Sequence, residues 1–240
     1  AFPPAEFFTP VLFPVFSMAQ GVLGSIWETE ASVYNDNPYT LITTYGTLFN
    51  VLCHLCDPPP PPGVPAHTSA IAYASALGFV TDRGYTIFFP RDVARNLSFG
   101  LLVRDLSRQA EALGTEVPVV REDEWYDRPF SLLNVPTDSR FRVALRVYTR
   151  VQSTPVRIRI RPMEGDSVLV DAQLVTTASG GEGPQHGAVV VNNLLSVYPQ
   201  LAGNPQVRIE VIPPDANTET WAFASITNNT TQHVTVISPQ

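Results

Sequence analysis

Cys53 and Cys56 are the two cysteines of this 240-residue chain, and they stand three residues apart in NVLCHLCDPPPPPG. That spacing admits four chemistries, and the neighbouring residues separate them. A redox-active CxxC needs a helix to lower the thiol pKa, and Pro58 to Pro62 forbid one. Covalent haem attachment needs His after the second cysteine, where Asp57 stands. A zinc site needs two further ligands, and only His54 and His67 lie near. A disulfide closing a tight turn is compatible with the spacing. It would place the chain in an oxidising, extracytoplasmic compartment.

Other catalytic constellations are poor. His54, His67, His186 and His233 are scattered, and none falls at a metal-binding spacing from another. His186 lies in SGGEGPQHG, but no GK[ST] follows, so the stretch reads as a flexible hairpin loop. The G-x-S-x-G elbow of serine hydrolases is absent. Glu122, Asp123, Glu124 and Asp127 cluster in VVREDEWYDRPF. Retaining glycosidases need two carboxyls about 5 Å apart across a cleft, a geometry that neighbours on one loop rarely supply. The cluster therefore reads as a solvated acidic loop. Trp125 and Tyr126 beside it offer faces on which a sugar could stack, which keeps a carbohydrate-binding or glycan-processing module as the alternative. The main expectation is a non-enzymatic chain with no cofactor.

All fifteen basic residues are Arg, so Lys-dependent isopeptide bonds, Schiff bases and P-loops are excluded. Arg142, Arg146, Arg150, Arg157, Arg159, Arg161 and Arg208 fall on the polar faces of candidate strands. If those strands are neighbours, the arginines form a basic stripe on one sheet. A net charge of −7 and the lack of interleaved aromatics argue against nucleic acid. Cross-strand pairing with Asp166, Asp171 and Glu210 is one reading of the stripe. The other is contact with the acidic patch Glu122, Asp123, Glu124 and Asp127 on a neighbouring copy. Such a head-to-tail interface propagates into a filament when its rotation does not close.

The elements that would position these residues are strands. In WETEASVY, Trp27, Thr29, Ala31 and Val33 share one face, with Glu28, Glu30 and Ser32 on the other. In FRVALRVYTR, Phe141, Val143, Leu145 and Val147 are expected inward, and Arg142, Arg146, Tyr148 and Arg150 outward. VRIRIRP repeats the pattern, and SVLVDAQLVTT, GAVVV, QVRIEVI, WAFASIT and HVTVI follow, separated by turn residues. TLITTYGTLFNVL, SAIAYASALGFV, YTIFFP, LSFGLLVRDL and TEVPVV are further candidates, and short helices are expected at 105–113 and 193–198. The expected fold is all-β: an apolar N-terminal extension (1–22), a β-sandwich domain (23–136) and a second, immunoglobulin-like sandwich (137–240), divided at the turn chemistry of Pro136-Thr137-Asp138.

The extension AFPPAEFFTPVLFPVF carries five phenylalanines and no base. Its prolines exclude a signal-peptide core or a membrane helix, and the start at Ala1 reads as the end left by signal-peptide cleavage. Val11, Phe13 and Val15 alternate with Leu12, Pro14 and Phe16, so both faces are apolar and both ask for burial. The burial gain and the ordering cost of such a segment are similar in size, so it also needs the hydrogen bonds of an open sheet edge. Phe2, Phe7, Phe8, Val11, Leu12, Phe13, Val15 and Phe16 are therefore the candidate interface: a strand donated to the neighbouring subunit, or buried in its own.

WAFASITNNTTQHVTVISPQ and YTIFFPRDVARNLSFGLLVRDLSRQAEALGTEVPVVRED resemble stretches of uncharacterised secreted β-proteins from acidobacteria-like, GC-rich bacteria, over Trp27 to the C-terminus. That resemblance implies no activity. In arrangement the chain also resembles donor-strand, pilin-like filament subunits, without their isopeptide Lys or sortase motif. The expected role is that of a self-associating extracellular filament subunit, and a jelly-roll capsid protein is a further option. Asn96, Asn228 and Asn229 stand in glycosylation sequons. The first test concerns the thiols. Intact mass with and without reduction before alkylation should show Cys53 and Cys56 bonded to each other, and labelling of both in unreduced, denatured protein would rule the bond out.

Overall fold

The structure is a computed structural model of the chain and describes residues 6–21, 24–41, 63–77, 81–107, 114–179 and 186–239. Phe2, Cys53, His54, Cys56, the proline run and the candidate strand after Leu41 lie outside the described residues, as do positions 108–113 of the first expected helix. The described part is mostly β, built from antiparallel sheets. The chain divides into two compact units after Asp123.

The first unit begins with β1 (Phe8–Phe13) and β2 (Met18–Gln20), followed by β3 (Ile26–Asn35) and β4 (Thr68–Tyr73). A short helix, α1 (Ala74–Leu77), leads to β5 (Tyr85–Pro90), α2 (Arg91–Ala94), β6 (Leu97–Asp105) and β7 (Thr115–Glu116). β3 is the spine, pairing along its length with β6 and on its other edge with β2 and then β4. Its alternation follows the sequence, with Thr29, Ala31 and Val33 buried. Glu28 is the exception on the polar face: it is buried, and the Ser75 hydroxyl donates to it.

An amide network closes the end of β3. Asn35 and Asn37 are buried, at 0% and 1% exposure, and so must be paired. Asn35 Nδ2 donates to the carbonyls of Tyr39 and Val64 at 2.9 Å each, and its Oδ1 accepts from the Asn37 backbone and side chain at 3.1 and 2.9 Å. Asn96 Nδ2 donates to Asn37 Oδ1 at 3.0 Å, which ties β3 to the chain just before β6.

The second unit contains β8 (Phe130–Pro136), β9 (Phe141–Thr149), β10 (Pro155–Pro162), β11 (Val170–Val175), β12 (Thr177–Ala178) and β13 (Gly187–Val191). After α3 (Leu194–Val197) come β14 (Gln206–Ile212), β15 (Thr220–Asn228) and β16 (Val234–Ile237). Two sheets, β11-β10-β14-β8 and β12-β13-β9-β15-β16, share one apolar core. Val143, Leu145 and Val147 from one sheet meet Val156, Ile158, Ile160, Val207, Ile209 and Val211 from the other. α3 falls within the expected 193–198, with the Asn193 side chain accepting from Ser196 N at 3.4 Å.

Two expectations are corrected. The division expected at 136 falls between β8 and β9, but β8 pairs with β14 and so belongs to the second unit. Tyr148, expected outward, is fully buried. It stacks on Phe223 with ring centroids 6.3 Å apart and packs against Trp221 and His186 at 5.9 and 5.6 Å. WAFASIT already carried the signal, because its apolar residues occupy both parities and an alternating one-sided strand would not.

The core makes a direct prediction. Truncating Ile158 to Ala should destabilise the second unit by about 2–5 kcal/mol, whereas truncating Phe7, which is 61% exposed, should change stability by less than about 0.5 kcal/mol. Urea unfolding read from the amide signals of each unit checks both.

Candidate functional site

β1 lies where its residue types require. Val11, Leu12, Phe13, Val15 and Phe16 are all buried, between 0% and 7% exposed, so both faces of the segment are covered. Phe8 is half-buried and Phe7 is exposed. The strand pairs antiparallel with β5 of its own chain, from Phe8 opposite Pro90 to Phe13 opposite Tyr85. On its other edge, Leu12 exchanges both backbone hydrogen bonds with Val120, at 2.9 Å each.

That second pairing explains why Pro10 is tolerated. Leu12 directs its N–H and C=O away from β5, and Pro10, two residues earlier, has the same parity. The donor that Pro10 lacks is therefore not one the β5 ladder uses. Beyond Phe13 the register changes, because Phe16 exchanges backbone bonds with Thr81 at 2.9 and 3.1 Å. Gly84 makes that change possible: its φ is +78°, and a Cβ there would lie 2.7 Å from the Phe13 carbonyl oxygen.

Aromatic packing fixes the strand laterally. Phe99 of β6 meets the Phe13 ring edge-on at 5.8 Å and the Phe89 ring at 5.2 Å, and the Arg121 guanidinium lies over Phe99 at 5.0 Å. At the outer end, Arg91 N donates to the Phe7 carbonyl at 2.9 Å and Arg91 Nη2 to the Phe8 carbonyl at 3.3 Å. The same guanidinium makes a fork with Glu122, at 2.7 and 3.1 Å. Glu122, expected in a solvated acidic loop, is thus part of the clamp on β1, while Asp123, Glu124 and Asp127 are exposed.

Trp125 and Tyr126 are engaged by the second unit. Arg150 lies over the Trp125 ring at 5.1 Å and pairs with Glu219 at 2.5 Å. Tyr126 exchanges backbone bonds with Thr220 at 2.8 and 2.9 Å and packs its ring 4.5 Å from Phe130. Both aromatics therefore anchor the chain to the sandwich.

The arginines do not form one stripe. Arg142 and Arg146 belong to β9 and Arg150 directly follows it, whereas Arg157, Arg159 and Arg161 belong to β10 in the other sheet. Period two assigns a residue to a face but cannot assign its strand to a sheet. On the β9 side, Arg146 donates to Ser225 Oγ at 2.9 Å and covers the Phe223 ring at 5.5 Å. On the β10 side, Arg157 makes a fork with Asp171 at 2.6 Å for each bond. Arg159 lies between Asp171 at 3.4 Å and Glu210 at 3.8 Å, and Arg208 pairs with Asp166 at 2.8 Å. Cross-strand pairing thus engages much of this face.

Among the sequon residues, Asn96 and Asn229 use their Nδ2 groups internally, toward Asn37 Oδ1 at 3.0 Å and the Ser139 carbonyl at 2.9 Å. Asn228 Oδ1 accepts from Thr230 N and Thr231 N in a tight turn. Among the described residues there is no cluster of three metal-ligating side chains, and no helix is long and apolar enough to cross a membrane. No family model matches the chain, and neither does any curated protein or solved structure.

The Arg157 fork holds the Asp171 carboxyl below its ordinary value of 3.8, chiefly through its hydrogen bond and then through the charges of Arg157 and Arg159. A depressed carboxyl stabilises the fold above its unfolded pKa, and that contribution is lost as pH falls through the folded value. An NMR titration should find Asp171 ionising below 3.8, and Arg157→Gln should move it upward.

Proposed function

We propose that the chain is a non-enzymatic structural subunit of an extracellular homopolymer, built of two immunoglobulin-like sandwiches and assembled by passing residues 2–16 from one copy to the next. One observation carries the reading: a segment apolar on both faces is held by a single ladder to β5 and by isolated bridges at Val120 and Thr81. Each of those partners is a backbone edge that the same strand of another copy would satisfy identically. Exchange therefore conserves every hydrogen bond and buried side chain, which is why swapping an identical element is a low-cost route to assembly. The arginine faces contribute little to this reading, since acids of the same chain already engage most of them.

Light scattering and negative-stain microscopy over a range of concentrations test the proposal. Full-length protein refolded at high concentration should yield species of increasing mass. A chain of residues 17–240 refolded with a synthetic peptide of residues 1–16 should instead give a capped one-to-one complex. Full-length protein that stays monomeric at every concentration, including after concentrated refolding, would overturn it.

A further inference from the structure

The outer face of the sheet β11-β10-β14-β8 holds an open depression of about 470 Å³, lined by Ser131, Leu133, Arg161, Asp166, Arg208 and Glu210. Its floor contains an electrostatic conflict. Arg161 and Arg208 stand directly opposite each other on β10 and β14, a like-charge cross-strand pair that is unfavourable by itself. The turn between β10 and β11 relieves only part of it. Arg208 donates to Asp166 Oδ1 at 2.8 Å and to the Gly165 carbonyl at 3.1 Å. Arg161 reaches the backbone carbonyl of Asp166, and among the described residues no carboxylate lies at ion-pair distance from it. The counter-ion of Arg208, Asp166, is 94% exposed and so readily displaced.

A second observation points the same way. Glu210 lines the depression with a side chain that is 30% exposed, while its buried Oε2 lies 3.8 Å from the Arg159 guanidinium. An ion pair of that length leaves the exposed part of the carboxylate with acceptor capacity for a donor in the depression. The depression thus combines a guanidinium lacking a carboxylate, a partly exposed carboxylate at Glu210, a hydroxyl at Ser131 and an aliphatic side chain at Leu133. A ligand complementary to that set carries a carboxylate, several hydroxyls and an apolar ring face.

We infer that this face binds an acidic sugar, a uronate unit of a polysaccharide, with its carboxylate on Arg161 and Arg208 and a hydroxyl donating to Glu210. The site lies in the second unit and is independent of strand exchange at β1. Guanidinium forks match planar carboxylates, and because the site is exposed its affinity is weak and falls with salt.

Trigalacturonate is the probe, with neutral maltotriose and inorganic phosphate as comparisons, titrated into full-length protein by NMR. Saturable binding of trigalacturonate near or below about 1 mM, with shifts centred on β10 and β14, is expected, with much weaker binding of the other two. Arg161→Gln should weaken it by about tenfold or more. Asp166→Asn should tighten it several-fold by freeing Arg208, a gain that a merely structural role for the turn does not produce. The inference is overturned by any of three results: no saturation by trigalacturonate, equal affinity for maltotriose or phosphate, or affinity unchanged in both variants.

Discussion

Everything in the first unit depends on covering an N-terminal strand on both faces. Val11 and Phe13 bury one side, and Leu12 and Phe16 the other, so the strand cannot lie on a sheet surface and must be sandwiched. That requirement explains its neighbours. β5 supplies the ladder, Val120 a bridge on the other edge and Thr81 one beyond the ladder, and Phe99 of β6 packs against Phe13 and Phe89. Arg91 and Glu122 close the open end with charge rather than apolar surface, as suits the point where the strand emerges into water. Such a solvent-screened pair stabilises little, so it sets where the strand stops rather than whether it binds.

The second unit solves a simpler problem. The sheet β11-β10-β14-β8 largely alternates, β9 and β15 also bury Tyr148, Trp221 and Phe223 on their second face, and the arginines left outside are engaged mainly by acids and aromatics of their own unit. The low charge content fits this arrangement, because most polar side chains already serve a neighbour. The exception is the row of Arg161 and Arg208, where two cations oppose each other and the one exposed carboxylate beside them, Asp166, pairs with Arg208 alone.

Much of this was legible in the sequence because period two is a local signal. β10 and β14 could be read residue by residue, as could β9 apart from Tyr148 and the polar face of β3 apart from Glu28. So could the demand of 11–16 for burial on both sides, which follows from having no polar parity. Three features were not legible because they depend on distant partners. β8 was assigned to the wrong unit because its pairing with β14 spans about seventy residues. The condition for a single arginine stripe, that its strands be neighbours, fails because β9 and β10, adjacent in sequence, lie in different sheets, which alternation does not reveal. Asn35, Asn37 and Asn96 were invisible as a network because asparagine reads as a turn former, and only the folded chain shows that two of them are buried.

The central claim is that β1 and β5 of different copies can pair. Pro10 and Phe88 stand directly opposite each other in that ladder, which makes them the most direct place to look. One copy would carry Pro10→Cys and the other Phe88→Cys, both with Cys53 and Cys56 replaced by Ser, and the two would be refolded together and mildly oxidised. The account predicts a covalent heterodimer joined through these two positions, its yield rising with protein concentration. If the mixture stays uncrosslinked while a single chain carrying both cysteines closes readily on itself, β1 belongs to its own unit alone and the account is contradicted.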